Sequence, residues 1–426
     1  MWQQKLIQIF KIPDLRKKII FVLMMLVIFR IAANIPVPGI DVERLRQFFA
    51  SNQLFGLMNI FTGGAMSNLS IAMLGLGPYI TAVIIMQLLT MIFPQLEAMY
   101  KEEGEKGRQK FNQYGRILTV PLAILQSYGM IVLLTRQGII PPLSFLQLVT
   151  NVLVITTGTV FLMWLGELIS EKGIGNGVSL LIFAGIVARV PVSIRQLIAT
   201  WDPSRFPSLI AFFLLALVII GAVVFITEGR RNIPVSYAKR VRGHRVYGGV
   251  STYLPLNVNP AGVIPIIFAL SIMLFPGMVA NFLIGSSKAW LASLAQSVNH
   301  LFQNQWFYGF LYFILVVLFT YFYTAVTFDP KKVAENLQKM GGFIPGIRPG
   351  KPTSDFLYYI LNRVLLIGAV FLGTVAVLPS IVQGITGITS FGFLVGGTAL
   401  LIVVSVALET VRQIDAQLTM RDYEGF

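Results

Sequence analysis

The chain has 426 residues, 55% of them hydrophobic and 12% charged. A soluble domain carries about 25% charged and ~45–50% apolar residues, and large soluble chains divide into domains instead of growing one oily interior. The composition therefore excludes an ordinary soluble protein and points to a multi-pass membrane protein, whose excess of Lys and Arg over Asp and Glu, 33 against 18, needs a location.

At the amino terminus Trp2, Leu6, Ile9 and Phe10 alternate with Lys5 and Lys11 at helical spacing, which suggests a short helix on the membrane surface. Apolar stretches long enough to cross ~30 Å of hydrocarbon follow at 19–35, 71–93, 114–135, 149–169, 178–199, 208–227, 261–284, 306–327, 357–378 and 388–409. Arg16, Lys17 and Lys18 ahead of the first resemble the front of a cleavable signal. Further spans follow, however, and Arg30 fits a signal core badly, so the segment is read as a retained helix. An even number of crossings puts both termini on one side. Most Lys and Arg fall there, and the positive-inside rule makes that side cytoplasmic. The basic excess then needs no nucleic acid: it is topology signal, with some left to meet anionic lipid or a partner.

The polar material is concentrated. Two long basic segments lie on the cytoplasmic side, about 228–259 with Arg240, Arg242 and Arg245, and about 329–355 with Arg348. Both are candidate docking surfaces, since loops this long are uncommon unless functional or disordered. The Gly- and Pro-rich run Gly341–Gly350 reads as a shaped tip that presents Arg348. The segment 54–67 is too short to span and carries Gly56, Gly63, Gly64 and Ser67. It reads either as a re-entrant half-helix beside a water-accessible interior or as a helix lying flat on the outer face.

Inside the spans charge is nearly absent, and Arg30, Glu167 and Arg189 are expected to reach an interface by snorkelling. This argues against a secondary transporter, the first alternative, because coupling ions need ionisable groups near the midplane. An intramembrane hydrolase is the second. The chain has no cysteine and two histidines, no His-Glu-x-x-His, and at Gly350-Lys351-Pro352-Thr353 only a near miss for a phosphate loop. No enzyme activity and no cofactor or metal are expected, and work on a substrate must be driven from outside.

Several runs together resemble one family: Asn34-Ile35-Pro36-Val37-Pro38-Gly39-Ile40-Asp41, Phe61-Thr62-Gly63-Gly64-Ala65, Gly166-Glu167 followed by Gly173-Ile174-Gly175-Asn176-Gly177, Asn259-Pro260-Ala261-Gly262-Val263-Ile264-Pro265, and Ile344-Pro345-Gly346-Ile347-Arg348-Pro349-Gly350. In this order they are similar to the SecY family, the large subunits of the bacterial protein-conducting channel (the SecY/Sec61-alpha family). The resemblance covers essentially the whole chain. It implies an all-α polytopic fold of ten transmembrane helices in two inverted five-helix halves, 1–200 and 205–426, around a central hourglass pore.

By matched motif positions, the resemblance places a pore ring on Leu76, Ile80, Val178, Ile182, Ile267 and Ile402. It places a plug on 54–67, with Leu57, Ile60, Phe61, Gly63, Gly64 and Ser67, and a lateral gate near Thr81, Gln87, Gln126 and Asn259. Motor or ribosome docking would fall on Arg240, Arg242, Arg245 and Arg348, although His244 stands where a further basic residue is expected. The implied partners are SecE-like and SecG-like small membrane subunits, the SecA motor ATPase, the ribosome, signal-sequence-bearing polypeptides and anionic lipid, with no sequence-specific nucleic acid. The implied location is the bacterial cytoplasmic membrane, with both termini cytoplasmic.

Overall fold

Proline sets where several helices begin and where one path bends. The computed structural model of the chain describes residues 11–37, 62–66, 68–136, 138–199, 206–237, 240–242, 245–247, 251–283, 288–386 and 397–424. Helices α1 (Pro13–Ala32), α2 (Gly77–Ile92) and α3 (Pro94–Lys101) carry proline in the first turn, where its missing N–H has no intrahelical partner to lose. Between α2 and α3 the axis turns by 111° at Phe93, which stays extended because the next residue is proline.

Helix α4 (Gly104–Arg136) follows, and α5 (Phe145–Lys172) starts on a capping box between Ser144 and Gln147. Helix α6 (Gly177–Val187) starts on Asn176, whose side chain accepts from the Ser179 N–H at 3.1 Å, and α7 (Val190–Ala199) and α8 (Phe206–Glu228) come next.

The chain then leaves helix for a ribbon. Strand β1 (Arg230–Tyr237) pairs antiparallel with β4 (Ser251–Asn257), from Arg230 opposite Asn257 to Ser236 opposite Ser251. Between them β2 (Arg240–Arg242) and β3 (Arg245–Tyr247) form a two-stranded antiparallel tip. Next come α9 (Ile264–Leu283), α10 (Ala289–Gln303), α11 (Gln305–Thr327) and α12 (Pro330–Lys339), the last capped by Asp329. Strand β5 (Gly342–Phe343) returns to the free edge of β1, giving the order β4-β1-β5, before α13 (Lys351–Thr386) and α14 (Gly397–Glu424).

The two expected loops are thus one folded unit. Ile233, Val235 and Leu256 from the ribbon bury against Leu337, Ile344 and Leu357 from the second segment and its neighbours. The all-α expectation describes the apolar segments, while the polar ribbon adds strands that the sequence pattern did not announce.

A described helix overlaps each of the apolar stretches read from the sequence. Among the described residues Gly104–Arg136, Phe145–Lys172, Trp306–Lys339 and Lys351–Leu378 are long and apolar enough to cross a membrane, and α2 with α3 passes only as a bent pair. The count of ten crossings rests on the sequence. Two stretches differ in detail: 71–76 is a series of turns ahead of α2, and 178–199 breaks at Ala188 and Arg189 between α6 and α7.

Candidate functional site

The glycine run after α5 is a joint between two helices in backbone contact. A Cβ at Gly177 would fall on the Gly166 carbonyl oxygen, so no side chain fits there. Ser170 secures the joint. Its hydroxyl donates to the Gly166 carbonyl at 3.0 Å and accepts from the Gly177 N–H at 2.8 Å. This seats α6 beside α5, with its far side in contact with α14.

From that position α6 contributes to the largest apolar cluster of the molecule. Leu76 and Ile80 from the start of α2, Ile182 from α6, Ile267 from α9 and Ile402 from α14 are all buried in it. Val178 is partly buried and packs against it. Helix α2 contacts α9 and α6 contacts α14, so the cluster joins chain from before residue 200 to chain from after 205. The i,i+4 spacing of 76 with 80 and of 178 with 182 puts each pair on one face of its segment.

Above α2, residues 35–37 run alongside 69–71. The Val37 N–H donates to the Leu69 carbonyl at 2.8 Å and the Ile71 N–H to the Ile35 carbonyl at 3.0 Å. Within the preceding turn Ala65 and Met66 are fully buried, and Ala65 belongs to the central cluster. Arg30, expected to reach an interface, has a specific partner: its guanidinium donates to the Gly63 carbonyl at 2.8 Å. The carbonyl offers a fixed acceptor that an apolar helix surface lacks. Glu167 also finds a partner, Arg116, at 2.7 Å. Leu57, Ile60, Phe61 and Ser67 lie outside the described residues.

Of the four polar residues expected at a gate, Thr81 and Gln87 lie on α2, Gln126 on α4 and Asn259 ahead of α9, and both α2 and α4 contact α9. Thr81 donates to the Gly77 carbonyl of its own helix at 3.0 Å, and the Asn259 amide donates to the Gly262 carbonyl at 3.0 Å. Gln87 and Gln126 are buried, and the Gln87 Oε1 and Asn259 Oδ1 atoms are buried without a hydrogen-bond donor. At the sheet, Arg348 is exposed just after the turn that starts at Ile344, and its carbonyl accepts from Thr353 at 2.8 Å. Arg242 and Arg245 are register partners in the ribbon tip and Arg240 stands opposite Tyr247.

A family model described as SecY matches residues 70–411. The chain belongs to the SecY family. Protein translocase subunit SecY of Streptomyces galbus is 45% identical over 438 residues, covering 98% of each chain. The subunit of the same name from Corynebacterium glutamicum is 45% identical and covers 99% of each. Among solved structures, one described as a protein conducting channel aligns at a TM-score of 0.63 and 20% identity, covering 92% of this chain and 90% of the other. Sec61 in a canine ribosome-channel complex aligns at 0.59 and 18% identity, covering 92% and 90%. The fold is therefore that of the SecY and Sec61 channels.

Within this family fold, sequence reasoning missed the Arg30–Gly63 bond and the role of the ribbon as one unit with the second loop. An arginine late in an otherwise apolar helix was the visible signal for the first. Its acceptor, a backbone carbonyl, carries no side-chain signature. A further clasp was also missed: Arg412 of α14 donates to the Glu228 carboxylate at the end of α8 and to the Thr227 carbonyl at 2.9 Å.

Proposed function

We propose that this chain is a passive channel through which unfolded secretory polypeptides cross the bacterial cytoplasmic membrane and from which transmembrane segments pass sideways into lipid. The observation that carries this reading is the convergence of Leu76, Ile80, Val178, Ile182, Ile267 and Ile402 in one apolar cluster shared by both halves. A collar of aliphatic side chains can seal against water and ions by dewetting and still yield to a passing chain, because it makes no directional bonds. The named relatives are translocase subunits and the solved neighbours are channels, so the solute-transporter alternative has no support.

In this reading the ten apolar segments cross the membrane as two inverted halves, 1–200 and 205–426, with both termini cytoplasmic. The segment 54–67 acts as a plug, with Gly63 fixed to α1 through Arg30. Lateral exit runs between α2 and α9, with Thr81, Gln87, Gln126 and Asn259 as its polar contacts. Arg348 and the ribbon tip with Arg240, Arg242 and Arg245 face the cytoplasm, where the SecA motor or the ribosome would supply the work. SecE-like and SecG-like subunits would cover part of the apolar outer surface. The chain itself performs no chemistry on the substrate.

The deciding experiment arrests a secretory chain partway and places photoreactive groups along it. Cross-links from successive positions to the six collar residues support the reading. Cross-links confined to the outer, lipid-facing surfaces of α1 and α5 would overturn it.

A further inference from the structure

We propose that α10 is an interfacial anchor in the outer leaflet, with lipid as the partner of its exposed apolar stripe. At 15 residues it is shorter than the ~20 needed to span. At 3.6 residues per turn its side chains sort into three sectors. Trp290, Leu294 and Leu301 form one stripe, exposed to 60%, 56% and 48%. Beside it Ala295 and Phe302 are buried and Val298 is partly buried, with Phe302 belonging to the central cluster and Val298 packed against it. The third sector, Ser293, Gln296 and His300, is polar and exposed, and Ser297 interrupts the apolar stripe between Leu294 and Leu301.

A helix resting on protein in water needs only two sectors. Three sectors match three surroundings: protein beneath, water above and hydrocarbon at the side. Single exposed apolar residues are ordinary, so continuity decides the occupant. Only Asn304 separates α10 from α11, where Trp306 and Phe310 are again exposed and apolar, at 67% and 65%, in a helix apolar enough to cross a membrane. Trp290 and Trp306 stand near the starts of α10 and α11, and tryptophan favours the headgroup level.

The anchor has a mechanical consequence. Helix α10 packs on α9, and its inner face shares the cluster that holds Ile267, so lipid contact at α10 restrains the outer end of the helix that must move if the α2–α9 seam opens. The leaflet, though not the immersion, rests on the orientation proposed above.

The chain lacks cysteine, so single-cysteine variants of the assembled complex in cells report each sector directly. With a membrane-impermeant maleimide added from outside, Ser293→Cys and Gln296→Cys should react on the order of tenfold faster than Leu294→Cys and Leu301→Cys, as expected for wet and lipid-covered faces of one helix. In parallel, a variant retaining Trp290 as its sole tryptophan is reconstituted with the small subunits into vesicles of brominated phosphatidylcholine. Its emission should be quenched by bromines near the headgroup end of the acyl chain and not by aqueous iodide. Equal reactivity at all four cysteines would overturn the proposal. So would protected Leu294→Cys and Leu301→Cys with Trp290 untouched by brominated lipid, because a protein partner would then cover the stripe. Labelling of Ser293→Cys only from the cytoplasmic side, with lipid quenching intact, would overturn the orientation and still support immersion.

Discussion

A methyl group added at Gly63 has nowhere to go: it would stand 2.9 Å from the Arg30 guanidinium and 2.9 Å from the Gly185 Cα. The residue also sits at φ +67°, where a side chain costs ~1–2 kcal/mol before any clash. If this turn holds the outer closure in place, Gly63→Ala weakens the closed state by at least that much, and ~1.4 kcal/mol is a factor of about ten in an equilibrium. The expected result is roughly tenfold higher resting ion conductance of the reconstituted complex, by the same relation. Conductance equal to the parent's would show that Gly63 does not serve closure. At Gly177 the demand is on the scaffold instead, since a Cβ would strike the Gly166 carbonyl. Gly177→Ala should destabilise by about 2–3 kcal/mol, as overpacking does, and lower the thermal midpoint in detergent. Gly115→Ala in α4 is the control, because a Cβ there meets nothing within 4 Å and alanine favours helix. Equal losses for the two variants would remove the close approach as the cause.

The long apolar helices were legible because a run of some 20 apolar residues has few other soluble or membrane solutions. Among the elements, the ribbon was not, for a physical reason: β1 is completed by residues more than a hundred positions away, with Ser236 opposite Phe343 and Tyr237 opposite Gly342. Its buried face is only Ile233 and Val235, too short an alternation to stand out among arginines. Helix α10 was invisible for the opposite reason, since its apolar residues serve two surroundings at once and blur the single stripe that marks an amphipathic helix. The candidate site was legible through motifs more than through periodicity, because a Leu or Ile at i,i+4 spacing is ordinarily packing. The ribbon and the second loop act as one element, which sharpens the test of Arg348. Leu337, Ile344 and Leu357 hold the loop while Arg348 stays exposed. Arg348→Glu should therefore leave insertion and thermal stability unchanged and impair motor-driven export, most at low salt, because exposed charges act chiefly on association. Full export at low salt would withdraw the residue from docking. An unfolded loop, seen as new protease sensitivity around 341–350, would instead assign it a structural part.

At the scale of the whole molecule, the two sets of helices meet along two seams, α2 and α4 against α9 and α6 against α14. Gln87 of α2 and Asn259 ahead of α9 have side-chain oxygens buried without donors, and an unsatisfied buried acceptor costs on the order of 1–3 kcal/mol. If parting α2 from α9 returns both to water, that cost is relieved on opening. That relief agrees with the proposed exit between α2 and α9, with the proposed aliphatic collar giving way at the centre. Ile402 is fully buried and Ile80 nearly so. Replacing either with asparagine stabilises water in the collar and removes an aliphatic contact worth on the order of 1.5–3 kcal/mol. Ile402→Asn and Ile80→Asn should therefore raise ion leak and let chains with defective export signals through. Such chains have little differential affinity for the open state, so ~1.4 kcal/mol less closed-state stability raises their opening about tenfold. Strong signals, which already drive opening, gain less. Val27→Asn is the contrasting control: Val27 is 58% exposed on the outer face of α1, away from the collar, so it should alter lipid or subunit contact without relaxing signal choice. If the collar and control variants export a defective-signal substrate equally well, the constriction does not lie at these six residues.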